Sequence, residues 1–143
     1  MRADRGGDIT YHGPGQQMIY PIIRLCGDRR DLHAHMRWLE GIAIGLLKVY
    51  DISAHTVPGM TGVWVNDAKI ASIGIGSSDW VTYHGMSINV NTDLSYFSMI
   101  NTCGMKIRIT SMEKILDRRI PMRDVKECLA NEFNTRTEAA KLA

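Results

Sequence analysis

Two side chains carry nucleophilic or proton-transfer chemistry in settings that could use it. Lys69 opens the apolar run Ile70-Ala71-Ser72-Ile73-Gly74-Ile75, and Cys103 precedes a glycine in a loop-like stretch, Asn101-Thr102-Cys103-Gly104. A thiol attacks carbon as its thiolate, and at a pKa near 8.5 only about 3% is ionised near pH 7, so a catalytic cysteine needs an activator. A nearby lysine lowers the thiol pKa or exchanges a proton with it; a fall of about two units raises the thiolate fraction to about three-quarters. Against this stand the plain alternatives, an edge lysine that snorkels to water and a loop cysteine with no role. Cys26 follows an apolar strand and Cys128 sits on an apolar helix stripe, so both are expected as buried small hydrophobes.

A third feature could line the pocket such a pair would need. Arg5 to Gln16 reads Arg-Gly-Gly-Asp-Ile-Thr-Tyr-His-Gly-Pro-Gly-Gln, with four glycines around the strand formers Ile9, Thr10 and Tyr11. Glycine lets backbone turn sharply and approach a ligand closely, so the stretch predicts a strand between two ligand-facing loops. His12 and His84 each follow Tyr and precede Gly, which suits either orientation of a substrate or a satisfied structural histidine. The histidines fail as a metal set, because His33 and His35 are two residues apart on different helix faces and His55 lacks acidic company.

Positioning these residues falls to alternating strands and helices. Strands are expected at Asp8–Tyr11 and Met18–Leu25, joined as a hairpin through the Gly13-Pro14-Gly15 turn, with Pro21 marking an edge or bend. Apolar residues at three- and four-residue steps from Leu32 to Tyr50 predict a long helix capped by Asp31. Val63–Val65 and Lys69–Ile75 form two strands about the Asn66-Asp67 turn, and Gly76–Asp79 a loop. A strand at Val81–Asn91, a short helix capped by Asp93 through Ile100, the Cys103 loop and a strand at Met105–Thr110 follow. Thr110 or Ser111 then caps a helix over Met112–Arg118, Pro121 resets the chain, and Val125, Cys128, Leu129 and Phe133 mark a last helix that frays after Asn134. With no repeat or linker, residues 1–143 are expected to form one mixed α/β domain of α+β type.

Bulk properties narrow the function classes. Seventeen basic against fifteen acidic residues leave a net charge of +2, which argues against a general nucleic-acid partner. Arg24, Arg29, Arg30 and Arg37 cluster as a solvated face or a patch for an acidic partner. No apolar run approaches the roughly 20 residues of a membrane span, so no membrane partner and a cytoplasmic location are expected. The three cysteines show no paired spacing and are expected reduced.

Three blocks, in order, resemble the lipoyl(octanoyl) transferase family. Arg5 to Gln16 resembles its RGGxxTxHGPGQ signature, Gly62 to Gly74 its GVW…KIASIG block, and His84-Gly85 to Cys103-Gly104 its HGxxxNV…DL…F…I…CG block. The resemblance implies a mixed sheet packed with helices, as in biotin and lipoate protein ligases. It implies transfer of octanoyl from the phosphopantetheine thioester of acyl carrier protein to a lysine of a lipoyl domain, in 2-oxoacid dehydrogenase or glycine cleavage proteins, without a further cofactor. Cys103 matches the acyl-thioester nucleophile and Lys69 its activating partner. Substrate contacts would come from Arg5, Gly6, Gly7, Asp8, Ile9, Thr10, Tyr11 and His12, from Ser72, Ile73 and Gly74, and from Gly85, Met86 and Ser87. Two departures accompany the match. Thr102 replaces the family's usual proline, and Met1 lies four residues before Arg5, where family members carry an upstream segment. A truncated form, a fragment or a chain completed by a partner is therefore expected. The rival expectations are an ATP-using lipoate or biotin-type ligase, and a non-catalytic truncated binder of acyl carrier protein or lipoyl domain.

Overall fold

The structure, a computed structural model, describes residues 11–99 and 107–142. Its centre is a six-stranded sheet with helices packed against it. The strands are β1 (Gln16–Ile19), β2 (His55–Val57), β3 (Met60–Val65), β4 (Ala68–Ser78), β5 (Val81–Asn89) and β6 (Arg108–Ile109). Their order is β1-β5-β4-β3-β2, antiparallel throughout, and β6 joins β4 in parallel. The helices are α1 (Leu32–Val49), α2 (Met112–Leu116) and α3 (Met122–Leu142), with a 3-10 helix at Leu94–Met99.

The apolar stripe of α1 explains the packing. Leu39, Ile42, Ala43, Leu46 and Leu47 are fully buried, and they meet Val63, Ile70, Ala71, Met86 and Ile88 from the sheet and Val125 and Leu129 from α3. Each such Leu or Ile contributes roughly 1.5–3 kcal/mol of burial, so Leu46→Ala costs about 2–5 kcal/mol once the cavity is included. Asp31 begins α1 by accepting a hydrogen bond from the Ala34 N–H at 2.9 Å, which satisfies one of the free amides of the first turn. No helix among the described residues is long and apolar enough to cross a membrane.

Several expected elements move. Asp8–Thr10 lie outside the described residues and Tyr11 is in no strand. β1 stops at Ile19, ahead of Pro21, which has no N–H for a ladder, and Arg24 keeps only a single bridge to Val81. Its partner is β5, 70 residues on, rather than a hairpin neighbour. β4 continues through the expected loop to Ser78, and the turn is Asp79-Trp80, both in the left-handed region (φ 49 and 62), the geometry a two-residue hairpin turn requires. β2 is too short to show in the pattern. Only Arg108 and Ile109 of the expected Met105–Thr110 strand pair, residues 105 and 106 lying outside the described set. The helix capped by Ser111 ends at Leu116, with Asp117 left-handed (φ 50). α3 continues past Asn134 to Leu142.

Candidate active site

The two blocks Ser72-Ile73-Gly74 and Gly85-Met86-Ser87, separate in sequence, are opposite one another. Ser72 pairs with Ser87, Ile73 with Met86 and Gly74 with Gly85 across β4 and β5. Strand alternation turns Ile73 and Met86 to the core and places Ser72, Gly74, Gly85 and Ser87 on the other face. On the far side of β5, Met18 pairs with Ser87 and Ile19 with Met86, so the strand leaving the glycine-rich motif lies alongside. Gly85 is held by a close approach: a Cβ there would collide with the Ile19 carbonyl oxygen and lie 2.9 Å from Pro21. The preceding His84 is left-handed (φ 59) inside a strand, not in the loop its glycine neighbour suggests, with its ring against Tyr20 and Tyr83.

The motif's described end is tied down by one side chain. Gln16 Nε2 donates to the Tyr11 carbonyl at 3.1 Å and to Asn89 Oδ1 at 2.9 Å, while Gln16 Oε1 lies 3.1 Å from His12 Nδ1. Asn89 Nδ2 donates in turn to the Thr110 carbonyl at 3.1 Å. Tyr11 stacks on Tyr96 (centroids 5.0 Å apart) and meets Phe97 edge-on at 5.4 Å, both on the 3-10 helix Leu94–Met99. Gln16 enters the sequence reading only as the last residue of the glycine-rich motif, and Asn89 not at all, since polar residues at strand positions are ordinary. Arg5, Gly6, Gly7, Asp8, Ile9, Thr10 and Cys103 lie outside the described residues.

Lys69 is neither on an edge strand nor freely solvated. β4 has β3 on one side and β5, then β6, on the other; the Thr110 N–H donates to the Lys69 carbonyl at 3.0 Å. The register slips between Val63 and Trp64, leaving Ile70 without an opposite residue and turning both Ile70 and Ala71 into the core. The Lys69 side chain crosses Gly62, where an added Cβ would lie 2.5 Å from Cε and 3.3 Å from Nζ. Its ammonium sits 5.5 Å from the centroid of the Trp64 ring, whose buried N–H has no acceptor among the described residues. Burial holds the Lys69 pKa below its ordinary value, opposed by the negative charge of Glu40.

Glu40 is the residue that sequence reading passed over. It is 9% exposed on α1, and its Oε1 accepts from the Gly62 N–H at 3.0 Å. An acid four residues after Met36 and three before Ala43, on the helix's apolar stripe, is the signal that could have found it.

Other candidates separate. Cys26 is exposed rather than buried, its thiol turned to the Arg24 carbonyl at 3.8 Å, because the chain has left the sheet by then. Cys128, expected as buried, is half-buried and packs against the core. His35 is buried and stacked on Trp38, and burial lowers its pKa, whereas His33 is exposed. Among the described residues no group of three or more His, Cys, Asp or Glu is arranged to hold a metal ion. Arg24, Arg29, Arg30 and Arg37 are all exposed.

The family model for the lipoyl protein ligase A/B catalytic domain matches residues 1–134. A Geobacter sp. (strain M21) protein named octanoyltransferase is 47% identical over 134 residues, covering 93% of this chain; the chain spans 66% of that relative's length. In structure the chain is similar to lipoate-protein ligase A bound with ATP (TM-score 0.71, 15% identity, covering 94% of this chain and 57% of that one). It is also similar to the biotin protein ligase of Aquifex aeolicus (TM-score 0.66, 14% identity, covering 87% and 54%). At these identities the likeness is one of fold, the mixed sheet with packed helices expected from the sequence. With the family model matching nearly the whole chain and relatives this similar in sequence, the chain belongs to the lipoyl protein ligase A/B catalytic domain family.

Proposed function

We propose that the chain carries the acyl-transfer centre of an octanoyltransferase, moving octanoyl from acyl carrier protein to a lysine of a lipoyl domain through a thioester on Cys103. The observation that carries the reading is Lys69. It is half-buried, its pKa is lowered by burial, and among the described residues no carboxylate forms an ion pair with it. Its carbonyl is bonded to Thr110, seven residues after Cys103 in the chain. A lysine whose pKa burial has lowered gives up its proton more readily than an ordinary one, and two successive acyl transfers need a group that gives a proton and then takes one.

The proton balance is simple. Cys103 thiolate attacks the thioester carbonyl, the carbon–sulfur bond to pantetheine breaks, and the departing thiolate takes a proton from the Lys69 ammonium. The acceptor lysine then attacks the acyl-cysteine, neutral Lys69 takes the surplus proton, and Cys103 leaves as thiolate. The product amide is more stable than the thioester, so neither ATP nor a further cofactor enters. Ser72 and Gly74 on β4, with Gly85 and Ser87 on β5, form the wall proposed to line the acyl chain, with Ile73 and Met86 packing that wall from the core side and Tyr11 and His12 at its rim. Residues 1–143 act in this reading as one catalytic domain in the cytoplasm.

The test is intact mass of the chain after incubation with octanoyl acyl carrier protein and no ATP. A hydroxylamine-sensitive octanoyl adduct that disappears in Cys103→Ala is expected, followed by octanoyl-lysine on an added lipoyl domain. Transfer that appears only with ATP, or an adduct that survives Cys103→Ala, overturns the reading; binding of either protein without turnover reduces the chain to a non-catalytic binder.

A further inference from the structure

The proposed reaction asks that Lys69 hold a proton at one step and release it at the next, so whatever sets its charge is part of the machinery. Desolvation alone drives a half-buried lysine toward the neutral amine. Three facts bear on what opposes it. Glu40 is a buried carboxylate on α1, and a buried acid without a partner is costly. Its one described partner is the Gly62 N–H. Gly62 is also the residue across which the Lys69 side chain lies, and its φ of 126 makes that crossing available to glycine.

We propose that Glu40 is a positioning residue for Lys69, fixing the Gly62 backbone beneath the lysine stem and acting on the half-buried ammonium through its charge. The inference rests on the proposed role of Lys69 for its functional meaning. Its geometry does not, since the contacts from Glu40 to Gly62 and from Gly62 to Lys69 stand without it.

The other charges near Lys69 are occupied elsewhere. Asp67, on the β3–β4 turn, and Arg108, on β6, are exposed and bound to one another. β3 presents only the Trp64 ring, and β5 presents no charged side chain opposite the Lys69 end of β4. Among the described residues, Glu40 is thus the one charge that acts on Lys69 appreciably. A carboxylate held at a distance, rather than in a tight ion pair, raises the lysine's proton affinity without locking the proton in place.

Glu40→Gln separates charge from contact, because the amide oxygen can still accept from the Gly62 N–H. Competitive acetylation with acetic anhydride between about pH 7 and about pH 10, read by peptide mass spectrometry, gives the midpoint at which Lys69 becomes a free amine. In Glu40→Gln the midpoint moves to lower pH, equivalent to about threefold or more free amine at about pH 8. Glu40→Asp, which keeps the charge but draws it back by one methylene, falls between that variant and the wild type. A purely structural role predicts the opposite sign, since loosening exposes the lysine and moves its midpoint up toward the ordinary value. A midpoint that is unchanged or raised in Glu40→Gln overturns the proposal; if that variant does not fold, a Glu40→Asp midpoint no lower than the wild type's does so. Labelling reads the lysine itself, so failure of the acyl-transfer reading leaves this result standing, and failure here leaves acyl transfer standing.

Discussion

Gln16 and Asn89 are joined side chain to side chain, Nε2 to Oδ1 at 2.9 Å, and through this one contact three distant parts of the chain are held together. Gln16 also bonds the Tyr11 carbonyl in the glycine-rich motif, and Asn89 bonds the Thr110 carbonyl, beside which Lys69 is anchored. Asn89 is 6% exposed, so truncation leaves buried polar groups without partners. Asn89→Ala is therefore expected to cost about 2–3 kcal/mol, and Gln16→Ala, at a wetter position, about 1 kcal/mol. Urea unfolding should show a lower midpoint at unchanged slope. A loss below about 0.5 kcal/mol in Asn89→Ala would show that water replaces the network at no cost.

Gly85 gives a steric prediction. The space a Cβ would fill is occupied by the Ile19 carbonyl oxygen, a backbone atom that cannot rotate away. Gly85→Ala should force β1 from β5 and cost about 3 kcal/mol. Amide exchange should concentrate the damage in Gln16–Ile19, whose hydrogen bonds would open first. Normal protection of β1 in a folded Gly85→Ala variant would contradict this account.

The legible part of the molecule is the part where one local rule decides. α1 was visible because its apolar stripe is long and Asp31 caps it, and the β3–β4 hairpin because a tight turn separates two apolar runs. What escaped depends on distant partners. β1 ends where Pro21 removes a ladder donor, yet its pairing with β5 is set by packing across some 70 residues. Lys69 was readable as unusual but not as interior, since only the sheet order makes β4 central and only the slip at Ile70 buries two consecutive residues after it. Glu40 is polar at a helix position where sequence offers no view of the glycine it bonds. The Ser72–Gly74 and Gly85–Ser87 blocks were found as likenesses to a family, and the register explains why they belong together.

Lys69 also makes stability depend on pH in a definite direction. Burial lowers its folded pKa below the ordinary lysine value of 10.5, so between the two values the unfolded chain binds the extra proton. Stability therefore rises with pH through that window, and below the folded pKa the cost of the buried charge is present in full. Lys69→Met removes the titration. Its stability relative to the wild type should be greater at about pH 7 than at about pH 10, compared by denaturant midpoints at both. A difference that is constant with pH would show that Lys69 titrates alike in both states.

The proposed pairing of Lys69 with Cys103 predicts a change in the thiol as well as in the lysine. If the ammonium stabilises the thiolate, Lys69→Ala moves the Cys103 pKa up, and iodoacetamide alkylation of that cysteine shifts to higher pH. Peptide mapping is needed, because Cys26 is exposed and Cys128 half-buried, and both report on other parts of the fold. Octanoylation by octanoyl acyl carrier protein should slow by about 100-fold, the usual scale for losing a positioned acid or base. Raising the pH should restore part of the first transfer, since hydroxide can supply the thiolate, but not the proton to the leaving pantetheine. An alkylation profile that superimposes on the wild type's would separate Lys69 from the thiol and leave it, at most, a role in the second transfer.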